Sequence, residues 1–314
     1  MVASRDLSIV IQGPVSGTSR EPNKYTKECL ATSRKFFPDA EIVFSTWEGE
    51  NISGLEYNQL VVSKAPKLEK CLYEDMTEHF LSINHLLLSS QKGLNVTTRP
   101  YVIKMRSDMA IKSNKCLEFI GKYTDYDQNS LQWKVFTQRL ITLPQLNPNR
   151  VEQWFPYSIC DWIQIGLRED VINLYDVPFV DIDGIPRRKG MKYIYADDYL
   201  GAEQYLFHSI LEKNGLPVKL YSRREGEGDI YKKNSIAIAM NMVLLSARQL
   251  GVSSLKYPGR MYAIDPFFSL GYYTFGEWKE LYNIYGGGSL KYTTNKLEQG
   301  VYKVFYSLRR KIRS

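Results

Sequence analysis

The chain has 314 residues, 44% hydrophobic and 13% aromatic, with 41 Lys and Arg against 34 Asp and Glu for a formal net charge of +7. That apolar content buries a substantial core and excludes intrinsic disorder, while the mild basic excess suits anionic partners such as nucleotides, phospholipid surfaces or nucleic acid without choosing among them. Cys29, Cys71, Cys116 and Cys160 form no C-x-x-C pair and the three histidines (His79, His85, His208) no H-E-x-x-H, so neither a disulfide framework nor a dedicated zinc site is indicated.

Met1 to Asp6 carries no apolar signal region, so reduced thiols in the cytosol are expected and the sequons at Asn51 and Asn95 read as accidental. Leu7 to Ile11 is an aliphatic run stopped by Gln12-Gly13-Pro14, the pattern of a buried strand. Asn23 to Phe36 suits a helix; Glu41 to Trp47 and Gln59 to Ser63 suit two more strands. Met76, Phe80, Ile83 and Leu87 recur at spacings of four, three and four, which predicts a helix that Gly93 ends. Tyr101 to Met105 is another strand. Strands alternating with helices predict a mostly parallel α/β sheet flanked by helices, whose ligands sit beyond the carboxyl ends of the strands.

Further strands are expected within Leu131 to Thr142 and Asp161 to Gly166, with helices over Arg168 to Tyr175 and Ala196 to Lys213. Ile236 to Leu245 is the longest apolar stretch; at less than the roughly 20 residues that span a bilayer, it reads as a buried helix. Residues 1–228 are expected to form the α/β domain that carries the binding site, and 229–314 a helical C-terminal region.

The chemistry should lie just after the strands. Asp108, in Arg106-Ser107-Asp108, can hold a divalent metal (Mn²⁺ or Mg²⁺) bridging a diphosphate, or bind a donor ribose, while Arg106 offsets phosphate charge. A turn acid with a salt-bridging arginine is the plainer reading. Glu203 shares a helical stripe with Tyr199, Leu206 and Ile210, so it is either a general base with a pKa raised by burial or a structural carboxylate. Asp161, ahead of a strand, reads as a contact to an acceptor hydroxyl or as a turn acid. Asp197 and Asp198 are acidic ligands or helix-start acids. Gln12, Gly13 and Pro14 open a loop able to approach a nucleotide, though not a P-loop; Trp47 stacks on a base or sugar, or belongs to the core.

At the C-terminus, Val301, Val304, Phe305, Leu308 and Ile312 form a stripe beside Lys303, Arg309, Arg310, Lys311 and Arg313. Such a basic amphipathic helix over 301–313 docks on an anionic membrane or packs on its own domain. No nucleic-acid module is recognisable, and no nucleic-acid partner is expected.

Leu7 to Pro14, Phe37 to Gly49, Tyr101 to Asp108 and Glu203-Gln204-Tyr205-Leu206 together resemble the WavE-type lipopolysaccharide-synthesis glycosyltransferases. The resemblance implies a GT-A-like fold and transfer of a sugar from a nucleotide-sugar donor to a saccharide or glycolipid acceptor, in lipopolysaccharide, lipooligosaccharide or other surface polysaccharide assembly. With the basic stripe at 301–313, a peripheral protein at the inner face of the cytoplasmic membrane is expected. Arg106-Ser107-Asp108 looks like the counterpart of the GT-A D-x-D motif with one acid in place of two. The chain departs from the family pattern at Lys64-Ala65-Pro66-Lys67, where an Asp-Pro-Gly turn is expected, and at Asn84-His85-Leu86, where Asn-Arg-Gln is expected. A non-catalytic nucleotide- or carbohydrate-binding protein and a sugar-phosphate nucleotidyltransferase are the alternatives.

Overall fold

The computed structural model describes residues 2–72, 77–144, 155–185, 193–195, 198–223, 225–257 and 273–289. The core is a seven-stranded sheet built on Leu7–Gln12 (β1), all six residues of which are buried. Glu41–Trp47 (β2) and Tyr101–Arg106 (β6) flank β1 in parallel, and Gln59–Ser63 (β3) extends the sheet beyond β2. Continuous burial on both faces is what a central parallel strand requires, and it explains why these strands read as unbroken apolar runs. On the other side come Ile163–Leu167 (β9), Leu140–Thr142 (β8) and Met242–Leu244 (β11), in the order β11-β8-β9-β6-β1-β2-β3. Only β9 is antiparallel to its neighbours, β6 and β8. The expected α/β architecture, a mostly parallel sheet between helices, is therefore the one observed.

Lys24–Phe36 (α1) and Ile83–Asn95 (α2) pack against β1 and β2. The α2 contact is close: a Cβ on Gly93 would lie 2.7 Å from Val10 Cγ1 and 3.0 Å from Ser45 Cβ. Arg168–Tyr175 (α3) links α2 to Ala202–Lys213 (α4). A small sheet of Ile194–Tyr195 (β10), Glu69–Leu72 (β4) and Glu78–Leu81 (β5) stands beside the main one. Met109–Ile111 (β7) pairs antiparallel with Val252–Ser254 (β12).

Several expectations need correction. The helix predicted from Met76 begins only at Ile83: Phe80 lies in β5 with its ring 57% exposed, and Met76 is outside the described residues. The helix predicted from Ala196 begins at Ala202, so Tyr199 is not on the Glu203 face; its hydroxyl instead lies 3.4 Å from Cys71 Sγ. Asp198 precedes that helix by more than a turn, and Asp197 is outside the described residues. The apolar run Ile236 to Leu245 divides: Ile230–Asn241 is a helix (α5), and Met242–Leu244 is an edge strand of the main sheet. Asn241 marks the break, because its amide accepts from Val135 N–H (2.8 Å) and donates to the Trp133 carbonyl (2.7 Å). Ala237 to Leu245 joins the same hydrophobic core as β1 and β6. The basic stripe at 301–313 lies outside the described residues.

Candidate functional site

Register aligns the carboxyl ends of the parallel strands: Gln12 at the end of β1 is opposite Ser45 on β2 and Arg106 on β6. Beyond them opens a cleft of about 480 Å³, whose lining includes Gln12, Gly13, Pro14, Trp47, Arg106, Ser107, Asp108 and Asp161. Eight of the eleven residues singled out from sequence thus face one space, at the sheet edge where an open α/β fold takes its ligand. Glu203 and Asp198 do not line the cleft, and Asp197 lies outside the described residues.

The floor is held by short polar contacts. Ser89 Oγ donates to Gln12 Oε1 (2.6 Å), Ser107 N–H to the Gln12 carbonyl (3.0 Å) and Ser107 Oγ to the Pro14 carbonyl (2.6 Å). Gly13 turns the chain out of β1 with φ +114°, a conformation that glycine adopts at low cost. Trp47 is almost wholly buried, and His85, from the first turn of α2, meets its ring edge-on at 5.2 Å. Trp47 is thus a buried residue that also lines the cleft. Burial lowers the His85 pKa.

Arg106 and Asp108 form a bidentate pair: Nε donates to Oδ1 (3.0 Å) and Nη2 to Oδ2 (2.6 Å). The guanidinium also lies 5.1 Å from the Trp162 ring centroid. Burial disfavours its charge, but Asp108 outweighs burial and raises the Arg106 pKa. Breaking such a pair by removing one partner costs about 3–5 kcal/mol.

Asp161 reaches the same wall because β9 runs antiparallel to β6. The residues just before β9 then fall at the carboxyl edge of β6, and Arg106 N–H donates to the Trp162 carbonyl at 3.1 Å. Its turn is anchored from below. Lys104 Nζ, fully buried within β6, donates to the Asp161 carbonyl (2.6 Å), Gln164 Nε2 donates to the Cys160 carbonyl, and Thr142 Oγ1 reaches the same carbonyl (3.3 Å). The Asp161 carboxylate is less engaged, since among the described residues its buried Oδ1 finds no hydrogen-bond partner.

Two further ionisable groups border this turn. Burial pushes Lys104 down to about 7, the Asp161 charge opposing and the Arg106 charge reinforcing the shift; its ammonium also lies 4.9 Å from the Tyr175 ring centroid. Burial, reinforced by Asp161, pushes Glu203 up to about 7. Glu203 sits in the first turn of α4, its carbonyl accepting from Ile159 N–H at 3.2 Å.

Sequence reasoning passed over Lys104 and Lys256. A lysine between Ile103 and Met105 in a buried strand is a local anomaly that could have drawn notice. Lys256 carries no such signal; it lines the cleft only because β12 pairs with β7.

Among the described residues no helix is long and apolar enough to cross a membrane. No curated protein matches the chain significantly. A family model described as WavE lipopolysaccharide synthesis matches residues 7–311, almost the whole length, and the chain belongs to that family.

Proposed function

We propose that this protein is a glycosyltransferase of GT-A-like design, which moves a sugar from a nucleotide-diphosphate donor to a hydroxyl of a saccharide or glycolipid acceptor during lipopolysaccharide or related surface polysaccharide assembly. One observation carries the reading: a cleft at the aligned carboxyl ends of β1, β2 and β6 is lined by both Arg106, a guanidinium, and Asp161, a carboxylate. Membership of a lipopolysaccharide-synthesis family supports it.

In this reading the nucleotide lies across the strand ends, with its base toward Trp47 and His85 and its diphosphate toward Arg106. Asp161 accepts the proton of the acceptor hydroxyl. The oxygen thus activated forms the new bond to the anomeric carbon, and the bond to the diphosphate breaks with its electron pair leaving on the nucleotide. Glu203 does not line the cleft and is not the base in this reading. The basic stripe at 301–313 would hold the protein against the anionic inner face of the cytoplasmic membrane, where a glycolipid acceptor resides.

The test is purified protein incubated with a panel of nucleotide sugars, with released nucleoside diphosphate as the readout. Release that falls at least a hundredfold in Asp161→Asn is the expected result. Pyrophosphate released from a nucleoside triphosphate would favour a nucleotidyltransferase, and absence of turnover despite tight donor binding a non-catalytic binder.

A further inference from the structure

The groups at the end of β6 do not fit a resident divalent cation. Mg²⁺ requires near-octahedral oxygen coordination with carboxylate ligands free to bind it. Asp108 and Asp161 are the two acids lining the cleft; both oxygens of Asp108 already accept from the Arg106 guanidinium, which leaves Asp161 as the single carboxylate open to a cation. Among the described residues, no three His, Cys, Asp or Glu side chains converge as a metal-binding group.

Resting on the donor-site reading above, we infer that Arg106 and Lys256 together neutralise the donor diphosphate, so that nucleotide binding needs no divalent metal. The Arg106–Asp108 pair uses Nε and Nη2. A guanidinium carries five N–H donors in a fixed fork, so the Nη1 hydrogens and one on Nη2 remain for phosphate oxygens. Asp108 then serves to fix the fork's direction.

Lys256 comes from a different element. Ser254 of β12 is paired with Met109 of β7, and Leu255 N–H donates to the Asp108 carbonyl at 2.9 Å, which fixes the chain immediately before Lys256 beside the acid. Tyr257 N–H donates to Ser254 Oγ (3.0 Å) and closes the turn, and the Tyr257 ring lies 6.2 Å from that of Trp162, the ring that Arg106 covers. Lys256 is exposed and lines the same cleft as Arg106. The two cations therefore approach one space from the main sheet and from the β7–β12 ribbon, a pincer matched to the two phosphates of a nucleoside diphosphate.

Isothermal titration of the full chain with UDP, GDP, ADP, CDP and dTDP, each in EDTA and in Mn²⁺, tests this. The expected result is binding of at least one of them with the same Kd, within about threefold, in both buffers. Lys256→Met should weaken it about 10- to 100-fold, the loss that follows from one charge-assisted hydrogen bond, and Lys256→Arg should restore most of it. Binding that appears only with Mn²⁺, or a Lys256→Met protein indistinguishable from the parent, overturns the inference and leaves the donor-site reading standing. If no nucleoside diphosphate binds in either buffer, the donor-site reading itself falls and takes the inference with it.

Discussion

Lys104 should make the protein more stable as pH rises above neutrality, and replacing it with methionine should abolish that gain. The ammonium is fully buried, and burial holds its pKa at about 7 against an ordinary 10.5. The charged groups facing it are Asp161, which favours its protonation, and Arg106, which opposes it, while the neighbouring Cys160 and Tyr175 are held neutral by burial. Between pH 7 and 10.5 the unfolded chain therefore carries a proton there that the folded chain has shed. The penalty, about 5 kcal/mol below pH 7, declines as pH rises, by about 2 kcal/mol between pH 7.5 and 9. Lys104→Met keeps the unbranched stem and removes the charge, at a cost of about 1–3 kcal/mol for the Asp161 carbonyl that loses its donor. The variant should be more stable than the parent by about 1–3 kcal/mol at pH 7.5, and the advantage should vanish near pH 9. Urea denaturation of both proteins at four pH values across that range measures the difference. Parallel stability profiles would refute the reasoning, because they would mean the buried amine has the same proton affinity folded and unfolded.

Glu203 should show the opposite sign. Its folded pKa is raised, so stability falls as pH climbs from the ordinary carboxylate range through about 7, and Glu203→Gln should flatten that decline in the same denaturation assay. Glu203→Gln should also retain far more transfer activity than Asp161→Asn, since only Asp161 lines the cleft; equal losses in a steady-state assay would place the base on α4. Gly93→Ala pushes a methyl into Val10 and Ser45, and should cost about 1–3 kcal/mol in urea midpoint measurements; no loss would mean that α2 can shift off the sheet freely. Deleting residues 301–314 should release the protein from phosphatidylglycerol vesicles in a flotation assay while leaving it bound to soluble nucleotide, and undiminished flotation would assign membrane contact elsewhere.

What the sequence disclosed about this site follows from how local each interaction is. β1, β2 and β6 were legible because buried parallel strands read as apolar runs ending in turn residues, and a single rule about strand ends then located Gln12, Trp47 and Arg106. The helix over-extended to Met76 failed for a related reason: the spacing Phe80, Ile83, Leu87 satisfies a helical period even though Ser82 interrupts it, and periodicity cannot detect a strand that ends one residue before a helix begins. Tyr199 was assigned to the Glu203 face by the same arithmetic, although Gly201 caps α4 after it.

The placement of Asp161 next to Arg106 depended on something no local pattern carries, the antiparallel direction of β9. Had β9 run parallel, the residues before it would have emerged at the opposite sheet edge, some five residues or about 17 Å away, and Asp161 could not line the same cleft as Arg106. Reversal of this one strand brings Asp161 into the same cleft as Arg106. It also explains the buried lysine, because the turn that reverses the chain leaves the Asp161 carbonyl pointing into the sheet, where a donor from within β6 must meet it. Lys104 and Asp161 are thus a single structural solution, and Lys104→Met should slow transfer by loosening the Asp161 turn even as it stabilises the fold at neutral pH.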